Sequence, residues 1–399
     1  MKITAIETVL LDEFPNLLWV QVHTDEGLVG LGETFFGPRS VAAYLHESVA
    51  PRLLGRDPLL IDRHSRDLLT GYLGFSGSGA EMRGLSAIDI ALWDLWGQAT
   101  NQPIHQCLGG LAREKVRTYN TCAGYRYVRG GEGQLTGNWG LDAAAGPYED
   151  LDAFLNRADD LAHSLLEQGI TGMKIWPFDY AAERWGGLYI APEKLDTALE
   201  PFRRIRAAVG DKMDIMVEFH SMWNFTTARR IMAALEDLDP FWFEDPIKMV
   251  NFDMLAELQA STRVPITASE TVATRPAFLE MMGRHAVGIV MLDLSWVGGI
   301  SEAKKIATMA EAFQLPVAPH DCTGPVVYTA SCHLSLNATN ALVQESVRAF
   351  YTGWYKDILT ELPRVENGYI LPMQGAGLGT KLLPDVVRRP DARVQRSSV

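Results

Sequence analysis

Six ionisable residues, Glu218, Glu244, Glu270, Asp293, His320 and Glu345, follow one another at intervals of 23 to 27 residues, each closing a short apolar run. If one architecture brought them together, the three glutamates would repel and raise one another's pKa unless a cation joined them. Oxygen-only ligands with no cysteine among them favour Mg2+ over Zn2+. A single acid at a strand end can equally be a helix N-cap, since carboxylates suit the helix dipole. Glu is a poor N-cap, however, and the Phe241-Trp242-Phe243 run ahead of Glu244 has the character of a buried strand. The trio Glu218, Glu244 and Glu270 therefore reads as a metal-ligand set.

Side chains spaced in this way converge only if parallel strands and crossover helices carry them. Residues 118–122, 173–176, 215–220, 241–244, 266–270, 289–293, 317–320 and 342–345 are short and apolar, with helical periodicity at 151–168, 193–209, 226–238, 252–262, 302–313 and 324–336. Right-handed crossovers close such a series into a (β/α)8-type barrel, whose C-terminal mouth collects the strand-end residues. An open doubly wound sheet is the alternative, but no GxGxxG follows an early strand. Ahead of the barrel, residues 1–115 alternate like strands at 2–11 and 17–23, turn at Asp25-Glu26-Gly27, and become helical at 41–54, 59–71 and 84–100. The divisions expected are an α+β capping domain over 1–115, a barrel over 116–346, and a segment over 347–399 packing back on the cap. The glycine-rich stretch 124–150 is a long loop expected to cover the mouth. The tail, ending in Arg393-Val394-Gln395-Arg396-Ser397-Ser398, is expected to fray.

A net charge of −13 with no basic tract argues against a nucleic-acid partner, whose phosphates require clustered Lys and Arg. The same charge repels small acids at long range, so an acidic substrate needs local positive charge. Cys107, Cys122, Cys322 and Cys332 are too few and too irregular for a disulfide framework and read as reduced thiols. With no apolar run long enough for a membrane span and no signal-peptide pattern at Met1–Glu7, a soluble cytoplasmic protein is expected.

The strings Val217-Glu218-Phe219-His220, Phe243-Glu244-Asp245-Pro246, Ala268-Ser269-Glu270, Leu292-Asp293, Val297-Gly298-Gly299-Ile300 and Pro319-His320 resemble the mandelate racemase branch of the enolase superfamily. So do Gly30-Leu31-Gly32-Glu33 and Asp89-Ile90-Ala91-Leu92-Trp93-Asp94 in the first third. The resemblance implies a modified TIM-type (β/α)7β barrel with an N-terminal α+β capping domain, and a homo-oligomer. It also implies that Glu218, Glu244 and Glu270 bind Mg2+, that Asp293 and His320 form a dyad, and that Glu345 contacts the substrate carboxylate. An α-proton beside a carboxylate is a very weak acid, so a bound cation and positioned donors must stabilise the charge left by its removal. His320 can be the base, with Asp293 fixing its tautomer. Alone, His320 would read as a core or capping histidine; Asp293 one strand earlier tips the balance.

Many relatives carry Lys-x-Lys at the end of the second barrel strand, whereas this chain has Lys174-Ile175-Trp176. Lys174 then takes the role of holding the substrate carboxylate, unless it snorkels to solvent. Trp176 cannot accept a proton and reads as a substrate-binding wall. Strand alternation turns His220 the same way as Glu218. Acid-sugar dehydratases such as galactonate dehydratase show an acid-x-His string here, so His220 reads as the acid that protonates a leaving hydroxyl; simple packing, or a hydrogen bond to a substrate hydroxyl, is the alternative. The expected reaction is elimination of water from an aldonate or aldarate through an enediolate, giving a 2-keto-3-deoxy acid. An epimerase or cycloisomerase on the same scaffold, and a non-catalytic sugar-acid binding protein, are the rivals. Loops near 11–14 and 72–81, with Tyr72, Tyr125, Trp139 and Trp176 as stacking surfaces, are expected to set specificity.

Overall fold

The alternating apolar residues that begin at Ile3 fold as three antiparallel strands, β1 (Ile3–Leu11), β2 (Leu17–Thr24) and β3 (Val29–Phe35), in the computed structural model, which describes residues 1–70, 77–141 and 146–399. The helix Ala80–Thr100 packs so closely on this sheet that a Cβ at Gly32 would lie 1.9 Å from the Ala87 carbonyl oxygen. Only glycine allows that approach. Tyr72 and the rest of 72–76, the first part of the loop expected near 72–81, lie outside the described residues.

Eight short strands follow: β4 (Val116–Thr121), β5 (Gly172–Ile175), β6 (Asp214–Glu218), β7 (Trp242–Glu244), β8 (Ile266–Ala268), β9 (Ile289–Leu292), β10 (Val317–Pro319) and β11 (Gln344–Ser346). From β4 to β10 each pairs in parallel with the next, and β11 pairs with β4. The ring closes just ahead of β11, where Val317 N–H donates to Asn340 O at 2.9 Å and Leu342 N–H to Val317 O at 2.8 Å. Several strands stop short of their apolar runs. β6 ends at Glu218 because His220 and Ser221 have φ of 50° and 55°, a left-handed backbone that cannot continue a strand.

The tail is more ordered than its composition suggests. β12 (Val365–Glu366) and β13 (Tyr369–Ile370) form a hairpin on Asn367-Gly368, and β13 pairs antiparallel with the start of β4. The expected fraying of the last residues is wrong: β14 (Ala392–Ser398) runs antiparallel along the whole of β1. Its backbone groups pair the edge that β1 would otherwise expose, and Arg393 and Arg396 form ion pairs with Asp12 and Glu7.

Buried acids join the first third to the barrel. Asp94 accepts N–H bonds from Leu31 (2.9 Å) and Leu378 (2.8 Å), and Asp89 accepts one from Ser301 (2.9 Å). Glu33 Oε1 accepts the N–H groups of Val326 (3.0 Å) and Val327 (2.9 Å), in the first turn of the helix Pro325–Asn337 that follows β10. Negative charge is favourable at that helix end. Among the described residues no helix is long and apolar enough to cross a membrane.

The same helix carries a pH-sensitive junction. His333 Nε2–H donates to the Leu378 carbonyl at 3.1 Å, and its Nδ1 faces His105 Nδ1 at 3.1 Å. Nδ1 of His333 must accept there, so the ring must be neutral. Burial pushes its pKa from 6.5 down to about 4. Its stabilising contribution is therefore complete above pH 6.5 and is lost, to a total of about 3 kcal/mol, as pH falls from 6.5 through 4. Urea titrations between pH about 7 and about 4.5 should show stability falling, with the slope flattened by up to about one proton in His333→Asn.

Candidate active site

Parallel register sets Glu218 directly beside Glu244 on β6 and β7, and Lys174 of β5 reaches between them. Its Nζ lies 2.6 Å from Glu244 Oε1, 2.9 Å from Glu345 Oε1 and 3.4 Å from Glu218 Oε2. Lys174 is 2% exposed, so it does not snorkel to solvent. Each carboxylate is also held by the backbone or a neighbour. Glu218 Oε1 accepts the N–H groups of Phe219 (2.9 Å) and His220 (2.6 Å), and Glu244 Oε2 accepts Trp242 Nε1–H (3.0 Å). Glu345 accepts from Thr121 Oγ1 and from Asp321 N–H (2.8 Å).

His320 stands across this cluster. Its Nδ1 is 2.6 Å from Asp293 Oδ2, and its Nε2 is 2.6 Å from Glu270 Oε2 and 3.9 Å from Glu345 Oε2. Asp293 is steadied by Ser295, whose N–H donates to Oδ1 at 2.6 Å, and Trp296 stacks on the imidazole with ring centroids 5.7 Å apart. Burial alone would lower the His320 pKa, but Glu270, Glu345 and Asp293 outweigh it and hold the ring well above its usual value. The same ion pair holds Glu270 down at about 2 against the desolvation that would raise it.

The glutamates on the other side have the opposite problem. Burial raises Glu218 to about 7, with Glu270 and Asp245 adding to the rise and Lys174 opposing it. Burial and then Glu218 push Glu244 well above the usual carboxylate range. A divalent cation would relieve both the desolvation and the repulsion, and an all-carboxylate donor set suits a hard ion such as Mg2+. Among the described residues no three side chains stand as a ready ligand triangle. The reason is local: Lys174 lies among Glu218, Glu244 and Glu345, and Glu270 is turned to His320. The residues fit a cation by chemistry, with internal cations making the pairings in its stead.

His220 reaches the site by a route that alternation did not describe. Its own left-handed backbone, past the end of β6, turns the ring toward the loop after β5, where Nδ1 lies 2.7 Å from Asp179 Oδ2. Burial would lower the His220 pKa, and Asp179 raises it above the ordinary value. Asp179 went unrecognised in the sequence; an acid three residues past Trp176, opening the helix Asp179–Trp185, was the available signal. Trp176 is 1% exposed and lies edge-on against His220 with centroids 5.8 Å apart, backed by Tyr127, Phe154 and Trp139. Trp139 is likewise buried, and Tyr125 is half-buried against Arg129, so these rings are packed as walls. The loop after β4 ties the cap to the mouth, because Asn16 Nδ2 donates to Val128 O (2.8 Å) and Gly131 O (3.0 Å).

Comparison with known proteins agrees with this architecture. Residues 4–109 match the mandelate racemase/muconate lactonizing enzyme N-terminal domain, and residues 157–386 match the enolase C-terminal domain-like family. The chain is 30% identical to a D-galactonate dehydratase of Verminephrobacter eiseniae over 96% of this chain and 92% of that one. It is also 30% identical to a D-xylonate dehydratase of Haloferax volcanii, over 97% and 88% respectively. A crystal structure of an enolase of the mandelate racemase subgroup from Agrobacterium tumefaciens superposes with a TM-score of 0.88 at 56% identity, covering 100% of this chain and 99% of that one. An enolase from Sargasso Sea environmental sequence superposes with a TM-score of 0.89 at 44% identity, with the same coverage. The capped barrel, its strand-end carboxylates and these matches together make the chain a member of the mandelate racemase/muconate lactonizing enzyme family of the enolase superfamily.

Proposed function

We propose that the protein is a Mg2+-dependent hydro-lyase that removes water from a sugar acid to give a 2-keto-3-deoxy acid, with Glu218, Glu244 and Glu270 as the metal ligands. The observation that carries this reading is a pair of histidine–aspartate dyads, His320–Asp293 at 2.6 Å and His220–Asp179 at 2.7 Å, on either side of the buried carboxylates. Elimination needs a base for the α-proton and an acid for the leaving hydroxyl, and two separately supported imidazoles provide them. Mg2+ supplies the positive charge that offsets the glutamates' repulsion and stabilises the negative charge building on the substrate carboxylate.

Asp293 holds Nδ1–H of His320, so Nε2 is the nitrogen turned toward the carboxylate cluster. Glu270, drawn to a metal, would release His320 Nε2, now 2.6 Å away, and that nitrogen would be the one to accept the α-proton. Lys174 holds the substrate carboxylate by its charge, and Glu345 joins it as the neutral acid, donating a proton to a carboxylate oxygen. Asp179 fixes His220 Nδ1–H, leaving Nε2 to protonate the β-hydroxyl as the Cβ–O bond breaks and water departs. The resulting enol takes up a proton at C3 as its C2 hydroxyl gives one up, and becomes the keto acid. Trp176 backs His220 and excludes water from that side.

A second reading, epimerisation, draws on the same two dyads, because acid–base groups on two faces would also invert the α-carbon. Incubating the protein with Mg2+ and a panel of aldonates and aldarates in deuterated water separates the readings. The expected result is keto acid carrying solvent deuterium at C3. Deuterium at the α-carbon of unchanged or inverted acid, without keto acid, would favour epimerisation, and neither would defeat the enzymatic reading. Asp179→Asn is expected to lower dehydration by roughly 10- to 100-fold while leaving α-proton exchange nearly intact, which NMR of the recovered substrate can follow.

A further inference from the structure

We propose that Arg83 receives a second anionic group at the far end of the substrate, making the preferred substrate a sugar diacid rather than a monocarboxylic sugar acid. The inference rests on the dehydratase reading above and deepens it. Arg83 lies in the first turn of the helix Ala80–Thr100, half-buried. Three residues on, Ser86 Oγ accepts the Gly298 N–H at 3.0 Å, so this face of the helix looks onto the segment between Asp293 and Gly298. That segment also carries Trp296, stacked on His320.

Arg83 differs from the other half-buried arginines. Arg113 donates from its terminal nitrogens to the carbonyls of Ala338, Thr339 and Ala341, and Arg206 donates to those of Leu238, Gly210, Met213 and Asp239. Among the described residues the Arg83 side chain makes no hydrogen bond or ion pair, and its Nε is buried without an acceptor. Withdrawing the Nε–H donor from water without an acceptor is costly, which marks the position as one a ligand completes. Burial pushes its pKa down, and the nearest influences opposing this are Asp293, already engaged by His320 and Ser295, and Glu81.

The opposite wall explains why a second cation is needed. Lys174 on β5 is more than neutralised by three carboxylates, and β5 lies four strands from β9 around an eight-stranded ring. Lys174 and the metal ligands can hold one carboxylate, while Arg83 addresses the other end of an extended chain.

The test compares hexaric acids with hexonic acids of matching stereochemistry, using the full chain with Mg2+, before and after Arg83→Met. The preferred diacid should exceed its matched monoacid in kcat/KM by at least about tenfold. Arg83→Met should lower the diacid value by roughly 10- to 100-fold, through KM, and change the monoacid by less than about threefold. A better monoacid, or equal losses on both, would overturn the proposal. If the variant fails to fold, thermal shifts of the unaltered protein decide: a larger shift with the diacid supports the proposal, and equal shifts overturn it. Absence of keto acid from every compound would defeat the dehydratase reading, while diacid thermal shifts compared between the unaltered protein and Arg83→Met would still decide the role of Arg83.

Discussion

His320→Asn should lower kcat for keto-acid formation by about 10³-fold and abolish deuterium exchange at the α-carbon, while Mg2+ still binds. Asparagine keeps a polar group of similar size near Asp293 but offers no nitrogen that can take up a proton. The exchange measurement matters because it isolates the first step. His220→Asn should lower keto-acid formation by a comparable factor yet leave exchange in place, since His220 acts only when the hydroxyl departs. If both variants lost exchange equally, the division of labour between the dyads would be wrong. If His320→Asn kept exchange, the base would have to be sought elsewhere, with Lys174, 2.9 Å from Glu345, the next group to test.

Glu244→Gln should abolish the thermal stabilisation that Mg2+ gives the unaltered protein and lower activity by at least about 10²-fold. Ligand excess of about 100-fold over Kd stabilises a folded state by roughly 2.7 kcal/mol, so losing a ligand is readable without turnover. The thermal readout is needed because Glu244 also lies 2.6 Å from Lys174, and its amide would disturb that pair as well. Lys174 keeps Glu345 and Glu218 as ion-pair partners in this variant, so the metal-free form should fold. Chelation of the unaltered protein should reproduce the activity loss and be reversed by Mg2+. A variant that still gained stability from Mg2+ would remove Glu244 from the ligand set.

The residues proposed to do the chemistry were legible because strands and helices repeat. One acid per strand–helix unit at a strand's end needs only local periodicity and the barrel's convergent mouth to be read as a cluster. The motif Gly30-Leu31-Gly32-Glu33 was visible too, although its purpose, a helix pressed within van der Waals range and a capped turn at Val326, is a tertiary fact. What could not be read locally were pairings between segments far apart in sequence. Asp179 meets His220 across 41 residues only because His220 adopts a positive φ, and the last strand finds β1 across the whole chain. Arg83 has no motif; what distinguishes it is a missing partner, which only packing reveals. Periodicity is a property of neighbours along the chain, so the sequence by itself determined the fold class and the strand-end side chains. Which charge faces which depends on loop dihedrals and burial, and these the tertiary structure decided.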